Sequence, residues 1–374
     1  MAREWPKKHH ILKHFTTFKI IQNKIYTNLF KKIKHIAVMR LSAMGDVAMT
    51  VPVLRAFVSQ FPEIKITVIS RPFFKPLFDT IPNLSFFAFD EKKRHKGFFG
   101  LLRLFQDLKA LKIDAFADLH NVLRSKVVRT LFSLSGKKIA FVDKSRAEKA
   151  ALTRSENKIF KPLPTMFERH TKVFEELGFV VDLSNPIFPE KADLGEEIIL
   201  LIGENDQKLI GIAPFAQYDS KVYPLDLMQE VIDNLAQNKN YKILLFGGGK
   251  NEIELLGLLS KGKENVIVVA GQLKFYQELQ LISNLDLMLS MDSGNAHISA
   301  MFGIKTITLW GATHPFAGFM PFNQPFENAL VSDRNLFPKL PTSVYGNIMV
   351  EGYESAMRTI SVESVTDKIR EQVE

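Results

Sequence analysis

From residue 34 onward, short β-branched runs alternate with longer stretches whose apolar positions recur every three or four residues. This is the pattern of βαβ units feeding a parallel sheet. The runs predict strands near 34–40, 64–69, 84–89, 113–118 and 137–141, with helices at roughly 46–60, 71–80, 98–111 and 121–134 between them. A polar stretch, 143–165, leads to a helix near 166–177 that ends at Gly178. Residues 179–205 hold Asn185-Pro186, Pro189, Gly195 and Gly203, which mark a linker. The alternation then restarts, with strands near 208–213, 241–246, 264–269, 286–291 and 305–310 and helices near 224–237, 251–260, 275–283 and 295–302. A last helix follows the cap-like Ser361. The pattern predicts an α/β protein of two doubly wound halves, with a ligand cleft at the carboxyl ends of the strands. The expected division is an N-terminal arm (1–33), a first domain (34–180), a linker (181–206), a second domain (207–354) and a closing helix (355–374).

Composition narrows the classes. The 374 residues suit two domains at about 150 residues each, and zero cysteines remove disulfide frameworks, thiolate zinc sites and cysteine nucleophiles. No apolar run reaches the ~18 residues of a membrane-spanning helix, and Lys13, Lys19 and Lys24 interrupt anything resembling a secretory signal. The expectation is a soluble or peripheral protein of a reducing compartment.

Charge matters once it is located. Arg3, Lys7, Lys8, Lys13, Lys19, Lys24, Lys31, Lys32 and Lys34 stand against Glu4, so the first 35 residues carry +8 of the net +9. The rest of the chain is nearly neutral, which argues against a nucleic-acid partner. Within the arm, Ile11, Phe15, Phe18, Ile21, Ile25 and Leu29 fall on one helical face. An interfacial helix on anionic lipid has this pattern, and so does a helix packing its apolar stripe on the body.

Three strand-to-helix junctions gather residues able to carry chemistry. Arg40-Leu41-Ser42-Ala43-Met44-Gly45-Asp46 follows the first strand; Gly45 permits a tight turn, and Asp46 either caps the next helix or faces the cleft. Met291-Asp292-Ser293-Gly294-Asn295-Ala296-His297 follows strand 286–291, where free backbone N–H groups and the helix dipole favour a phosphate. His297 lies one turn into that helix, facing the same ligand or serving the packing. Ala213-Pro214-Phe215-Ala216-Gln217-Tyr218-Asp219-Ser220-Lys221 opens the second half, and Lys221 is either a surface lysine or a compact charge for a leaving phosphate. On the first half, Asp118-Leu119-His120-Asn121 ends a strand with Arg124, Lys126, Arg146 and Lys149 near it in sequence. An acidic or phosphorylated lipid-linked sugar suits that cluster, from which His120, Arg124 and Arg146 are singled out; solvated surface charge is the other reading.

Other motifs fail. Gly247-Gly248-Gly249 continues as Lys250-Asn251-Glu252 and does not complete G-x-G-x-x-G; the run from Gly257 to Lys263 is followed by Glu264 instead of Ser or Thr. No Asp-x-Asp pair and no H-E-x-x-H occurs, so spacing supports no metal site.

Taken in order, these segments resemble the ADP-heptose:lipopolysaccharide heptosyltransferase family, glycosyltransferase family 9, over about 34–372. The resemblance rests on Val38 to Pro52 (VMRLSAMGDVAMTVP), on Asp292-Ser293-Gly294 to His297, and on Leu309-Trp310-Gly311-Ala312-Thr313-His314-Pro315. It implies a GT-B architecture, two Rossmann-like domains facing across a cleft, with acceptor on the first and nucleotide-sugar on the second. It also implies inverting transfer of heptose from ADP-heptose to a lipopolysaccharide core acceptor, without metal or other cofactor. In that picture Asp46 is the general base, and Lys221 with the amides of Ser293 and Gly294 holds the diphosphate. Asp292 and His297 lie at the nucleotide-sugar, and Leu273 lies against adenine. Where family members often place a carboxylate for the ribose this chain has Lys250, with Glu252 two residues later, and His314 stands where an aspartate is common. The expected place is the cytoplasm, peripheral on the inner membrane where the arm engages lipid. Alternatives on the same architecture are a transferase using another nucleotide-sugar for a surface glycan, a nucleotide-sugar epimerase, and a catalytically silent binding protein. The acid at Asp46 argues against the last, which needs no base there.

Overall fold

The structure is a computed structural model and describes residues 33–203 and 206–373. The basic arm thus lies outside the described residues, apart from the buried Ile33. The first sheet holds β1 (His35–Met39), β2 (Lys65–Ser70), β3 (Leu84–Ala88), β4 (Ala115–Asp118) and β5 (Lys138–Phe141), in the order β3-β2-β1-β4-β5. The second holds β6 (Lys208–Ala213), β7 (Tyr241–Leu245), β8 (Val266–Val268), β9 (Leu287–Met291), β10 (Lys305–Trp310) and β11 (Ala329–Val331), in the order β11-β10-β9-β6-β7-β8. Every pairing is parallel. β1 reads His-Ile-Ala-Val-Met and β9 Leu-Met-Leu-Ser-Met, buried at every position, as strands covered by helices on both faces require.

The strand order reverses between β1 and β4 in one sheet and between β6 and β9 in the other. In such sheets ligands bind in the crevice outside the carboxyl ends at the reversal. The four segments that leave those strands are the ones holding Asp46, His120, Lys221 and Asp292 to His297.

Helix starts and stops follow local chemistry. The predicted helix 46–60 is two helices, α1 (Met44–Ala48) and α2 (Thr50–Gln60), because Pro52 has no N–H to offer the carbonyl of Ala48. Residues 72–78 form a 3₁₀ helix in place of the predicted α-helix; Pro76 lies inside it. Next come α3 (Gly97–Ala110) and α4 (Leu123–Leu134). α5 (Arg146–Thr153) occupies the stretch read as merely polar; it buries only Lys149 and Leu152, which leaves no apolar periodicity to detect. α6 (Met166–Leu177) runs from a Thr165–Glu168 capping box to Gly178 at φ 104°. The region expected to be a linker contains α7 (Glu196–Ile202), whose flanking Gly195 and Gly203 are its caps. α8 (Leu225–Ala236), α9 (Lys250–Ser260), α10 (Phe275–Ile282), α11 (Gly294–Met301) and α12 (Val362–Val373) complete the second half. α12 buries Val365, Ile369 and Val373 in the core of the second sheet beside Val231 and Leu235 of α8. β11, three residues long, gave no separate signal in sequence; it pairs with β10 through Thr308–Ala329 to Trp310–Val331.

The halves are packed together. One core cluster continues from Val38 and Phe57 through Phe174 to Met301 and Phe322. Phe167 meets Phe322 at 5.0 Å between ring centroids, and the N–H groups of Leu163 and Met166 donate to Phe316 and Gly318 across the boundary.

Candidate active site

Between the sheets, three cavities join into one trough. The largest, about 590 Å³, runs from the Gly247–Gly249 turn past Leu273 and Phe275 to Ser293 and Gly294. A second, about 350 Å³, shares Ser293 and Gly294 with it and adds Asp46, Lys221, Asp292 and His297. A third, about 210 Å³, shares Asp46 with the second and adds Arg40, His120, Lys144 and Lys149. Asp46 therefore stands where the second-half cavities open into the first-half one.

The first turn of α1 aims Asp46. Its Oδ2 accepts the Ala43 N–H at 3.2 Å and pairs with Arg40 Nη2 at 2.5 Å, while Arg40 Nη1 donates to the Leu119 carbonyl at 2.7 Å. Burial opposes the charge on Asp46, but the Arg40 guanidinium, the Ala43 N–H and His297 outweigh it and hold the carboxyl below its usual range. The side chain keeps 28% of its surface exposed, toward the trough. So Asp46 is both an N-terminal helix partner and a cleft residue.

Gly45 does not work through a turn as expected, since its φ is not positive. A Cβ there would come within 2.9 Å of His297 Cδ2 and 3.2 Å of Gly294 Cα, and one on Gly294 within 2.8 Å of Met44 Cε. The two glycines let the N-termini of α1 and α11 touch across the cleft, which brings Asp46 beside the Asp292–His297 segment.

On the facing side, Lys221 Nζ lies 3.2 Å from Asp292 Oδ2, and Thr313 Oγ1 donates to the same oxygen at 2.8 Å. The turn after β10 clamps this group from behind. The Ala312 N–H donates to Ser220 O at 3.0 Å, and a Cβ on Gly311 would sit 2.4 Å from that oxygen. Gly346, at φ +85°, lies against the Lys221 stem, and its carbonyl accepts from Ser220 Oγ at 2.5 Å. His297 is buried; burial lowers its pKa against the pull of Asp292 and Asp46, so the ring is neutral at neutral pH, with Nδ1 unpartnered. Ser293 holds the N-cap position of α11 without a side-chain bond to the helix, and it lines the trough with Gly294 at the helix N-terminus, where amides are left without intrahelical partners.

In the largest cavity Leu273 stands near Ile253 and Phe275, and Phe275 of the second half stacks on Phe73 of the first at 4.7 Å. Glu252 Oε2 accepts the Gly248 N–H at 2.7 Å, whereas Lys250 is exposed outside the cavity. Glu278 also lines the wall, and burial pushes its carboxyl up to about 7. Sequence reasoning passed over Glu278, Phe73 and Phe275, whose shared wall is formed only by the meeting of the halves.

The first-half cavity is basic. Burial, Arg40 and Lys144 lower His120 to about 3, so its imidazole is neutral. Lys149 is buried with Nζ 4.2 Å over the Phe319 ring, and burial, then Arg169, lower it to about 8. Tyr345 closes the same cavity from the second half. Arg124 is not part of the trough: it pairs with Glu91 at 2.7 Å beside a separate cavity, because the first turn of α4 points it outward. Arg146, at the start of α5, is exposed and borders the cavity electrostatically through Lys144 and Tyr345. His314 packs with Phe160 and Phe316 and accepts the Phe316 N–H at 3.1 Å, away from the trough. Among the described residues no group of three or more His, Asp or Glu side chains is placed to hold a metal ion, and no helix is long and apolar enough to cross a membrane.

Comparison with known proteins agrees with this architecture. The profile of glycosyltransferase family 9 (heptosyltransferase) matches residues 101–344. The lipopolysaccharide core heptosyltransferase OpsX of Haemophilus influenzae is 26% identical over 290 residues, covering 75% of this chain and 80% of that protein. Lipooligosaccharide heptosyltransferase 2 of Campylobacter jejuni is 26% identical over 280 residues, 72% of this chain and 79% of the relative. Among solved structures, a family 9 glycosyl transferase of Veillonella parvula superposes with a TM-score of 0.71 at 22% identity, over 91% of this chain and 97% of that one. The ADP-heptose lps heptosyltransferase II of E. coli gives 0.63 at 19% identity, over 91% and 98%. The two-domain GT-B fold is that of these structures. The chain belongs to glycosyltransferase family 9, the heptosyltransferases, and is a glycosyltransferase.

Proposed function

We propose that the protein transfers heptose from ADP-heptose to an acidic saccharide of a lipopolysaccharide core, with inversion at the anomeric carbon and without a metal ion. The observation that carries this reading is the position of Asp46, at the joint between the cavity of Lys221, Ser293 and Gly294 and the basic cavity of His120 and Lys149. Relatives are named for heptose transfer to lipopolysaccharide or lipooligosaccharide, and E. coli heptosyltransferase WaaC, of the same fold, has been solved with ADP and with ADP-2-deoxy-2-fluoro heptose.

The adenosine end lies along Leu273 and Glu252, and the diphosphate lies against Lys221 and the first amides of α11. The acceptor hydroxyl attacks the anomeric carbon from the side of the first half. One bond forms from acceptor oxygen to that carbon as the bond to the β-phosphate oxygen breaks, and ADP leaves with the electron pair. Asp46 takes the hydroxyl proton. Its lowered pKa keeps it ionised at neutral pH, so it accepts the proton as the new bond develops. Asp292, held by Thr313, aims Lys221 at the leaving group, where charge appears in the transition state. Lys149 and Lys144 meet the negative charge of the acceptor.

The test is a product assay with ADP-, UDP- and GDP-sugars and a core acceptor, with and without EDTA. The expected outcome is transfer from ADP-heptose alone, with opposite anomeric configuration in product and donor and an unchanged rate in EDTA. Transfer from another nucleotide-sugar, retention, or loss of activity on chelation would each remove the corresponding part of the reading.

A further inference from the structure

The first half presents an apolar and basic surface that the trough does not use. Phe98 and Phe99 at the start of α3 are 62% and 75% exposed, and Leu123 at the start of α4 is 79% exposed. With Leu101 and Val127 between them, Phe98 and Leu123 line an open cavity of about 520 Å³, rimmed by Lys96 and Arg124. Large apolar side chains grouped this way on a surface mark an interaction site.

The preceding loop turns its acids inward and its bases outward. Asp90 accepts the backbone N–H groups of Lys92, Lys93 and Arg94 at 3.2, 3.0 and 3.3 Å. Glu91 pairs with Arg71 and Arg124, and Asp107 with Arg94 and His95. His95 stacks on Phe89 at 5.6 Å, and a Cβ on Gly100 would sit 2.2 Å from the His95 carbonyl carbon, so the loop is fixed against α3. Among the described residues no carboxylate pairs with Lys92, Lys93, Lys96, Arg103 or Lys126, all exposed on the loop and on α3 and α4, the segments that carry Phe98, Phe99 and Leu123. In a body that is almost neutral apart from its arm, this is a local concentration of positive charge. Arg71 follows β2 and Arg124 follows β4, so the surface lies at the carboxyl ends of the first sheet, the end that carries Asp46 and His120.

We propose that this surface docks the enzyme on an anionic bilayer, with Phe98, Phe99 and Leu123 entering the interfacial region and Lys92, Lys93, Lys96, Arg103 and Lys126 meeting lipid phosphates. Aromatic side chains ringed by cations are what such an interface selects. The location goes beyond the proposed activity and rests on it only in supposing a lipid-linked acceptor, which docking here would deliver to the basic side of the trough.

The experiment is flotation of the full-length protein with vesicles of phosphatidylglycerol and phosphatidylcholine in equal parts, against vesicles of phosphatidylcholine alone. Wild type should float with the anionic vesicles only. F98S/F99S/L123S should weaken that partition about tenfold or more, and K92Q/K93Q/K96Q several-fold with a flatter salt dependence. Transfer to a short soluble acceptor should persist in both variants. Wild type that ignores anionic vesicles overturns the proposal, and so do variants that float as well as wild type, which would assign binding to the basic arm. A change of oligomeric state in the first variant with unchanged flotation would make the face a contact between copies. The lysine variant alters only exposed positions and gives a second reading if the apolar one folds poorly. Flotation is independent of turnover, so loss of the proposed activity and loss of docking are separately visible.

Discussion

In the proposed reaction, Asp46 is the residue on which the chemistry turns. Asp46→Asn keeps the shape and the hydrogen bond from Ala43 but cannot take a proton, so turnover should fall by ~10²–10⁴, while ADP affinity, read by titration, stays near wild type. A wild-type rate would leave Asp46 a helix partner only. Lys149 gives a pH signature. With its pKa lowered to about 8, it is charged below that value and neutral above it, so the acceptor KM should rise several-fold between pH 7 and 9; Lys149→Met should show the higher KM throughout. A profile unchanged by the substitution would place the acceptor's charge elsewhere. Asp46, Lys221, Asp292 and His297 were legible as neighbours of a cleft because each stands just after a strand, at a strand-to-helix junction; the structure then puts those strands at the reversals of strand order. Glu278 and Tyr345 were not, since each meets the trough through packing between segments far apart in sequence, while Arg40 and Lys149 stood in the segments read from sequence without a role of their own.

At the scale of elements, the touching ends of α1 and α11 decide how closely the halves approach. Alanine is a better helix residue than glycine by ~1 kcal/mol, so propensity alone would make Gly45→Ala stabilising. The contact reverses the sign: its Cβ meets the Gly294 backbone and the His297 ring, and overpacking of that kind costs ~1–3 kcal/mol. Gly45→Ala should therefore lower the melting temperature and weaken donor binding. Gly294→Ala should do less, because the Met44 side-chain end it meets can move aside. Equal, unperturbed melting curves would show that the helix ends have slack. Most elements were legible from apolar runs and their punctuation, including α6 with its capping box and Gly178. α5 and α7 were not. The first is carried by alanines and a buried lysine, and the second is bracketed by glycines that look like linker and act as caps.

For the whole molecule, the bed proposed for the donor is built from both halves, with Phe73, Met44 and Gly45 on one side and Leu273, Phe275 and Ser293 on the other. A donor that binds only the folded, assembled cleft should stabilise it by about 2.7 kcal/mol at one hundred times its dissociation constant. A thermal shift with ADP-heptose, absent with other nucleotide-sugars, is the expected result; no shift at saturating donor would mean the cleft does not form the donor site. The Phe73–Phe275 stack gives this bed a thermodynamic property. Its two rings belong to different halves, so any preference of the donor for one spacing of the halves is a preference for one spacing of the acceptor cavity too, because Tyr345 and Lys149 face each other across the same boundary. The two substrates are then linked ligands. By whatever factor the donor changes the acceptor's affinity, the acceptor changes the donor's by the same factor.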